Sequence, residues 1–247
     1  MNCSYSILSP EELFHGYLET VLNMIADHSP FPQGKGEAAH WSAKLHAARI
    51  HLCETVYFGQ IAYQILMPFR TVEVCSGYGL PSLAVAKQFG IHVTCVDTDE
   101  EGFAVGRVIA ENIQVSLHQV KEDLFSYLRK EGKALAGMTL MATAAFCSDQ
   151  ENNRPYGSGE GDLVDIAVTN GMDLAVLPYR SGETMRTGIS HEKKRLADYQ
   201  ERLVKADYEV MFHSTKHILP QSGAPDWFYL DILTAKRKSP PDGVKLF

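Results

Sequence analysis

The sequence predicts an α/β protein in which a helical extension precedes a mostly parallel sheet of seven strands. From Thr71 onwards, apolar segments of strand length alternate with segments of helical periodicity. This alternation indicates parallel strands, because the intervening helices return the chain to the same end of the sheet. Glycines mark the first strand-to-helix turn, and two consecutive strand-like runs close the chain. The first 69 residues have helical periodicity instead.

Residues 1–69 are predicted to form a helical N-terminal cap. The segment "SPEE" at 9–12 matches a capping box with proline at the first helical position. Apolar residues then recur at helical spacing as far as about Asp27, which predicts one continuous helix.

A second helix is predicted between about Glu37 and Met67. The preceding segment "SPFPQGKG" at 29–36 is rich in helix breakers and indicates a loop. Gly59 is a candidate break within the helix, and Pro68 is expected to end it.

Residues 70–247 form the second predicted domain, which contains the sheet. Its parallel strands are predicted at 71–75, 91–97, 115–120, 138–146 and 172–179. Its helices are predicted at about 81–89, 100–113, 122–131, 161–169 and 190–206. The last two strand-like runs, 208–219 and 226–238, are separated by "PQSGAP" and are expected to form an antiparallel pair.

Composition excludes several classes of function. A net charge of −7 gives no positive field to hold a nucleic acid, so none is expected as a partner. No apolar run approaches the ~20 residues that span a bilayer, so no membrane association is expected. The cysteines are scattered without a CxxC pair, which predicts reduced thiols in a cytoplasmic protein and no metal site.

The turn after the first strand has the features of a nucleoside site. Gly77 and Gly79 allow a ligand close to the backbone, and Asp97 at the end of the next strand can accept hydrogen bonds from a ribose diol. Ser82 stands where a dinucleotide site has its third glycine, and Pro81 removes an amide that a pyrophosphate would need. These two residues favour S-adenosylmethionine over a dinucleotide.

The segment "EVCSGYG" at 73–79 resembles the first motif of class I S-adenosylmethionine-dependent methyltransferases. Glu73, Gly77 and Gly79 match the acid and two of the three glycines, while Cys75 replaces the first glycine. The resemblance spans about residues 71–236. It implies a Rossmann-like, doubly wound sheet with an antiparallel last strand, and S-adenosyl-L-methionine as the cofactor.

The same resemblance implies roles for individual residues. Gly77 and Gly79 would lie against the methionyl part of the cofactor, and Glu73 would orient their turn. The remaining cofactor-binding residues would be Asp97 at the ribose, Thr98 or Asp99 near the adenine, Asp123 at the adenine amino group, and Leu124 beside the ring.

Reacting groups are expected from the loops after the fourth and fifth strands. Tyr156 lies in the polar, glycine-bearing loop 147–162 and is a candidate to face the substrate, although a solvated loop is the alternative. Tyr179 is expected at the carboxyl end of the fifth strand, as a catalytic candidate. Arg180 is a candidate to bind a substrate carboxylate, with an ordinary surface arginine as the alternative.

Methyl transfer to a small molecule is the first functional hypothesis. The segments "TLMATAAFCS" at 139–148 and "AVLPYRSGETMRTG" at 175–188 also resemble nicotianamine-synthase-like enzymes, which transfer an aminocarboxypropyl group. A variant of that chemistry is cyclisation of the cofactor to azetidine-2-carboxylate. Both release methylthioadenosine, whereas methyl transfer releases S-adenosylhomocysteine. A third hypothesis is a non-catalytic S-adenosylmethionine-binding protein.

Overall fold

The structure is a computed structural model that describes residues 6–28, 37–67, 70–74, 76–143, 163–177, 189–218 and 227–239. The strands are β1 (Thr71–Val74), β2 (Val93–Asp97), β3 (His118–Lys121), β4 (Thr139–Thr143), β5 (Asp173–Leu177), β6 (Tyr208–Ile218) and β7 (Trp227–Arg237). The helices are α1 (Pro10–Leu13), α2 (Leu18–His28), α3 (Glu37–Leu66), α4 (Leu80–Phe89), α5 (Glu100–Asn112), α6 (Leu124–Glu131), α7 (Leu163–Asn170) and α8 (Ile189–Lys205), and a 3-10 turn at Gly132–Leu135 follows α6.

The seven strands form one mixed sheet in the order β3-β2-β1-β4-β5-β7-β6. Strands β1 to β5 are parallel, and β7 runs antiparallel to both β5 and β6. In the register of the sheet, Val74 at the end of β1 lies between Val96 and Ala142. The carboxyl ends of the parallel strands therefore meet at one edge, which we call the carboxyl edge. The predicted fold class is confirmed.

Helices cover both faces of the sheet. On one face, Val72 of β1 and Leu128 of α6 belong to the same buried cluster. On the other face, Phe58 of α3 and Ala175 of β5 belong to a second cluster. Burying each large apolar side chain contributes roughly 1.5–3 kcal/mol, so these clusters hold the strands, and with them the carboxyl edge, in place.

Two helices begin directly at the carboxyl edge because an aspartate caps each of them. Asp99 follows β2, and its Oδ1 accepts the amide of Gly102 at 2.9 Å. Asp123 follows β3, and its Oδ1 accepts the amide of Ser126 at 3.0 Å. Each cap satisfies an amide that the first helical turn leaves free. The connections from strand to helix are consequently short.

The N-terminal residues form two helices, so the prediction of one continuous helix to about Asp27 is wrong. The capping box itself is confirmed, because the amide of Glu12 donates to Ser9 Oγ at 3.2 Å and the amide of Ser9 donates to Glu12 Oε2 at 2.8 Å. The chain then turns at Gly16, whose φ of +74° is a left-handed conformation that suits glycine. This turn separates α1 from α2.

Helix α3 is unbroken, so the candidate break at Gly59 is also wrong. A Cβ atom at residue 59 would lie 2.6 Å from the carbonyl oxygen of Pro81. Gly59 therefore allows α3 to pack closely against the start of α4, and its lack of a side chain serves packing between helices. The helix ends at Leu66, and Pro68 lies outside the described residues.

Helix α3 also contacts β7 and thereby joins the N-terminal helices to the sheet. The division of the chain at residues 69 and 70 stays a prediction. Within the described segments, no helix has both the length and the apolar character required to cross a membrane.

Candidate functional site

A glycine turn connects β1 to α4 at the carboxyl edge. Gly77 and Gly79 have φ values of +47° and +70°, and the amide of Gly79 donates to the carbonyl oxygen of Ser76 at 2.7 Å. A Cβ atom at residue 79 would lie 3.1 Å from Sγ of Cys95, whereas one at residue 77 would meet no atom of the described residues within 4 Å. Gly79 is therefore needed for packing, and Gly77 borders space that no described residue fills.

Asp97 holds this turn from the end of β2. Its Oδ2 accepts the amide of Gly77 at 2.8 Å, and its Oδ1 accepts the amides of Thr98 at 2.7 Å and Asp99 at 3.0 Å. A carboxylate offers about four acceptor positions, so these three bonds leave room for another donor. Asp97 thus fixes the turn and retains capacity on Oδ2 to accept a hydrogen bond from a ligand.

Glu73 lies beneath the turn and is fully buried, at 0% exposure. Its Oε2 accepts both the amide of Ser82, at 3.0 Å, and the Ser82 hydroxyl, while its Oε1 has no hydrogen-bond partner among the described residues. Burial raises the pKa of Glu73 to about 8, although the bonds from Ser82 oppose this rise. The side chain is therefore mainly protonated at pH 7 and joins β1 to α4 as a neutral group.

The start of α4 has few amides available for an anion. Pro81 has no N–H, the Ser82 amide donates to Glu73, and the Leu83 amide donates to the carbonyl of Gly79 at 2.8 Å. Phosphate sites at helix N-termini require several converging amides. At most the amide of Leu80 remains in this first turn, so the site is poorly suited to a pyrophosphate.

The other residues predicted to bind the cofactor follow β2 and β3. Thr98 is exposed and follows Asp97 directly. Asp123 is also exposed and caps α6, while Leu124 is buried at 6% exposure. Because Lys121 at the end of β3 is in register with Asp97, all of these residues belong to the same region of the carboxyl edge.

The predicted reacting residues Tyr156, Tyr179 and Arg180 lie outside the described residues, as does Cys75. The described part of the chain contains no cluster of three or more histidine, cysteine, aspartate or glutamate side chains suited to a metal ion.

Three aromatic side chains beside the turn are absent from the sequence predictions. The ring of Tyr78 makes edge contacts with His28 at 5.3 Å and with His51 at 6.2 Å between centroids. Burial lowers the pKa of His51 to about 4, and burial together with Asp99 raises the pKa of Tyr78 to about 12, so both are neutral at pH 7. Of these three residues, only Tyr78 could have been proposed from the sequence as part of the site, because it lies between the two glycines of the turn.

Comparison with solved structures finds the same fold at low sequence identity. Cofactor-bound Rv0187 from MTB has a TM-score of 0.52 and 14% identity, over 89% of this chain and 88% of that one. Precorrin-6y C5,15-methyltransferase from Geobacter metallireducens GS-15 has a TM-score of 0.50 and 11% identity, over 72% and 87%. Searches against protein-family models and curated proteins find no match. The chain therefore has the Rossmann-like fold that its resemblance to class I methyltransferases predicts.

Proposed function

We propose that the protein is an S-adenosylmethionine-dependent methyltransferase that acts on a small molecule. The observation that carries this proposal is the 2.8 Å hydrogen bond from the amide of Gly77 to Oδ2 of Asp97. It joins a glycine turn to a carboxylate at the ends of two neighbouring parallel strands. Such an arrangement presents bare backbone and a hydrogen-bond acceptor to a nucleoside.

The described residues fit S-adenosylmethionine better than a dinucleotide. The space at Gly77, which no described residue fills, allows the methionyl part to approach the turn, and the remaining acceptor capacity of Asp97 suits a ribose hydroxyl. The shortage of free amides at the start of α4 disfavours a pyrophosphate but costs little for a ligand without phosphate. Asp123 and Leu124 are the proposed adenine contacts, and Thr98 is the proposed neighbour of the ribose and adenine.

S-adenosylmethionine, when bound, supplies a methyl group that is already activated on a positively charged sulfur. The residues of the chain then need to bind the cofactor and hold the acceptor in line with the methyl group. Glu73 orients the turn as a neutral side chain and so adds little negative charge beneath it. Tyr156 and Tyr179 are the proposed catalytic residues, and Arg180 is the proposed substrate-binding residue.

Several properties support a small-molecule acceptor. The net charge of −7 disfavours a nucleic acid. We also propose that residues 1–69 act as a helical cap beside the cofactor, since α2 and α3 bring His28 and His51 to the ring of Tyr78 in the turn. The buried free thiols of Cys53 and Cys95 support a reducing, cytoplasmic environment.

Mass spectrometry of the adenosyl by-product tests the proposed reaction. Purified protein is incubated with S-adenosylmethionine and a metabolite extract, and a sample without protein corrects for spontaneous breakdown. We expect accumulation of S-adenosylhomocysteine. Accumulation of methylthioadenosine would contradict methyl transfer and favour aminocarboxypropyl transfer or cyclisation. Formation of neither compound, with binding retained, would favour a non-catalytic binding protein.

The proposed role of Asp97 is tested by a double-mutant cycle. Because Asp97 also holds the Gly77 amide, a loss of affinity in Asp97→Asn has two sources: the lost ribose bond and a disturbed turn. Calorimetry with S-adenosylhomocysteine and with its 2′-deoxy and 3′-deoxy analogues separates them. We expect at least one missing hydroxyl to cost the wild type about 1–3 kcal/mol and to cost the variant much less. Equal losses of binding free energy in the wild type and the variant would show that Asp97 does not bind the ribose hydroxyls.

A further inference from the structure

The last residue of α2, His28, contacts two parts of the proposed cofactor site. Its Nε2 lies 3.2 Å from Oδ2 of Asp99, and its ring meets the edge of the Tyr78 ring with 5.3 Å between centroids. These contacts join residues that are far apart in the chain, since His28 and Asp99 are separated by 71 positions. His28 therefore connects the N-terminal helices directly to the carboxyl edge.

Through its contact with Asp99, His28 is linked to Asp97, the proposed acceptor for the ribose. The amide of Asp99 donates to Oδ1 of Asp97 at 3.0 Å, and Oδ1 of Asp99 accepts the amide of Gly102 at 2.9 Å. Partial burial would raise the pKa of Asp99, but the Gly102 amide and His28 outweigh burial and lower it. Asp99 is thus an ionised acceptor whose two oxygens are held by α5 and by α2.

The contact with Tyr78 leads to the glycine turn. A Cβ atom at residue 106 would lie 2.4 Å from the Tyr78 carbonyl oxygen, so the backbone of the turn rests directly on α5. At the side chain of Tyr78, His28 and His51 both contact the aromatic ring. The turn is therefore held by α5 at its backbone and by α2 and α3 at its aromatic side chain.

We propose that His28 is a positioning residue, which holds Asp99 and Tyr78 and through them sets the geometry of Asp97 and the glycine turn for the cofactor. This inference rests on the proposed function. Its physical basis is that the hydrogen bond to Asp99 is charge-assisted and the side chain of His28 is only 19% exposed, which limits competition from water. Removing the bond releases Oδ2 of Asp99 and leaves this side chain held by α5 alone. The amide of Asp99 is one of the donors that orient the Asp97 carboxylate.

His28 has a third contact, in which its Nδ1 lies 3.6 Å from Oε2 of the exposed Glu101. Two substitutions separate the hydrogen bond to Asp99 from the ring contact with Tyr78. His28→Phe keeps an aromatic ring beside Tyr78 but removes the hydrogen bond to Asp99, whereas His28→Gln keeps an N–H donor and removes the ring. His15→Phe is the matched control, because His15 is an exposed histidine in the turn between α1 and α2. Thermal unfolding of each protein confirms that it is folded before binding is measured.

Calorimetry with S-adenosylhomocysteine gives the functional result. We expect His28→Phe to bind about 10-fold more weakly than the wild type, which corresponds to about 1.4 kcal/mol. His28→Gln should stay within about 3-fold of the wild type, and His15→Phe should be unchanged. Rescue by glutamine is a result that a purely structural role for the ring does not produce. Equal affinity of His28→Phe and the wild type would overturn the inference.

Amide hydrogen exchange of the ligand-free proteins tests the coupling without any cofactor. We expect His28→Phe to accelerate exchange at the amides of Gly77 and Gly102, and His28→Gln to do so less. Unchanged exchange at both amides would overturn the inference, even if the affinity fell. A wild-type protein that does not bind S-adenosylhomocysteine would contradict the proposed function, and the exchange rates would then still decide whether His28 positions the turn.

Discussion

The two sides of the proposed site are held together by interactions that differ in how far apart their residues lie in the sequence. The turn side, residues 73–74, 76–82 and 95–99, depends on short connections: Glu73 and Ser82 are nine positions apart, and Gly77 and Asp97 are twenty apart. The helix side, α2 and α3, reaches the turn through residues far away in sequence, such as His28 and Asp99. A local motif can therefore predict the turn side, whereas the helix side depends on how whole helices pack.

The two sides also differ in how they satisfy buried polar groups. Gln60 of α3 is fully buried, yet its Oε1 accepts the Leu8 amide at 2.8 Å and its Nε2 donates to the carbonyls of Leu8 and Val56 at 2.9 and 3.2 Å. Glu73 of the turn side is equally buried, but its Oε1 has no hydrogen-bond partner within the part of the chain that the structure describes. The buried side chain of Gln60 on the helix side is neutral and has hydrogen bonds at both of its polar atoms, whereas the turn side contains a buried titratable carboxyl group, whose ionised form burial disfavours.

The largest expected effect concerns the titration of Glu73. Its pKa is raised from 4.5 to about 8 in the folded protein, so the protonated form stabilises the fold. This contribution is complete below about pH 4.5 and is lost as the pH rises through about 8. We expect the wild type to lose on the order of 3 kcal/mol of unfolding free energy relative to Glu73→Gln between pH 5 and pH 9.

Urea unfolding at several pH values measures this difference, and Glu209→Gln, at an exposed site on β6, is the control. Parallel stability curves for the wild type and Glu73→Gln would show that folding does not raise the pKa of Glu73, so that its burial has no effect on its titration. The contrast between the two sides would then disappear.

The next largest effect concerns the packing of the helix side. An alanine usually stabilises a helix interior by ~1 kcal/mol relative to glycine. In Gly59→Ala the added Cβ would lie 2.6 Å from the Pro81 backbone, so we expect a destabilisation of about 2 kcal/mol instead. Ala43→Gly, at an exposed position of α3, calibrates the helix propensity. Chemical denaturation decides the sign, and a stabilised Gly59→Ala would contradict close packing of α3 on α4.

The smallest effect on stability is expected for alanine at two glycines: Gly77 of the turn side, and Gly16, which lies just before α2. Gly77 and Gly16 both have positive φ values, and at either position a Cβ atom would meet no atom of a described residue within 4 Å. Alanine should therefore cost each site about 1 kcal/mol of stability through backbone strain alone. Only Gly77→Ala places a methyl group in the proposed cofactor space. We expect it alone to weaken S-adenosylhomocysteine binding in calorimetry, and equal affinities of the two variants would exclude Gly77 from the site.

The sequence predicted the sheet well because strands and turns are encoded locally. The strand predicted at 71–75 is β1, Thr71–Val74, and the last two predicted strands form the antiparallel pair β6 and β7. The N-terminal helices were predicted less accurately. Helical periodicity continued through Gly16, where the backbone turns. At Gly59 the residue type alone does not distinguish a glycine that breaks a helix from one that allows two helices to pack closely.

The candidate site was predicted in the same uneven way. Spacing and residue type indicated Gly77, Gly79 and Asp97, because a strand, a turn and the next strand follow one another in the chain. Nothing in the spacing of His28 or His51 indicates a contact with Tyr78, since those contacts exist only after α2 and α3 pack beside the turn. The additional role of Asp97 as acceptor for the Gly77 amide likewise required three-dimensional geometry.

We expect the turn side to bind an adenosyl sulfur compound without phosphate. Calorimetric titration of the wild-type protein with S-adenosylhomocysteine, and in parallel with NAD, tests it most directly. Saturable binding of S-adenosylhomocysteine with no binding of NAD is the predicted result. Binding of NAD without binding of S-adenosylhomocysteine would contradict the account.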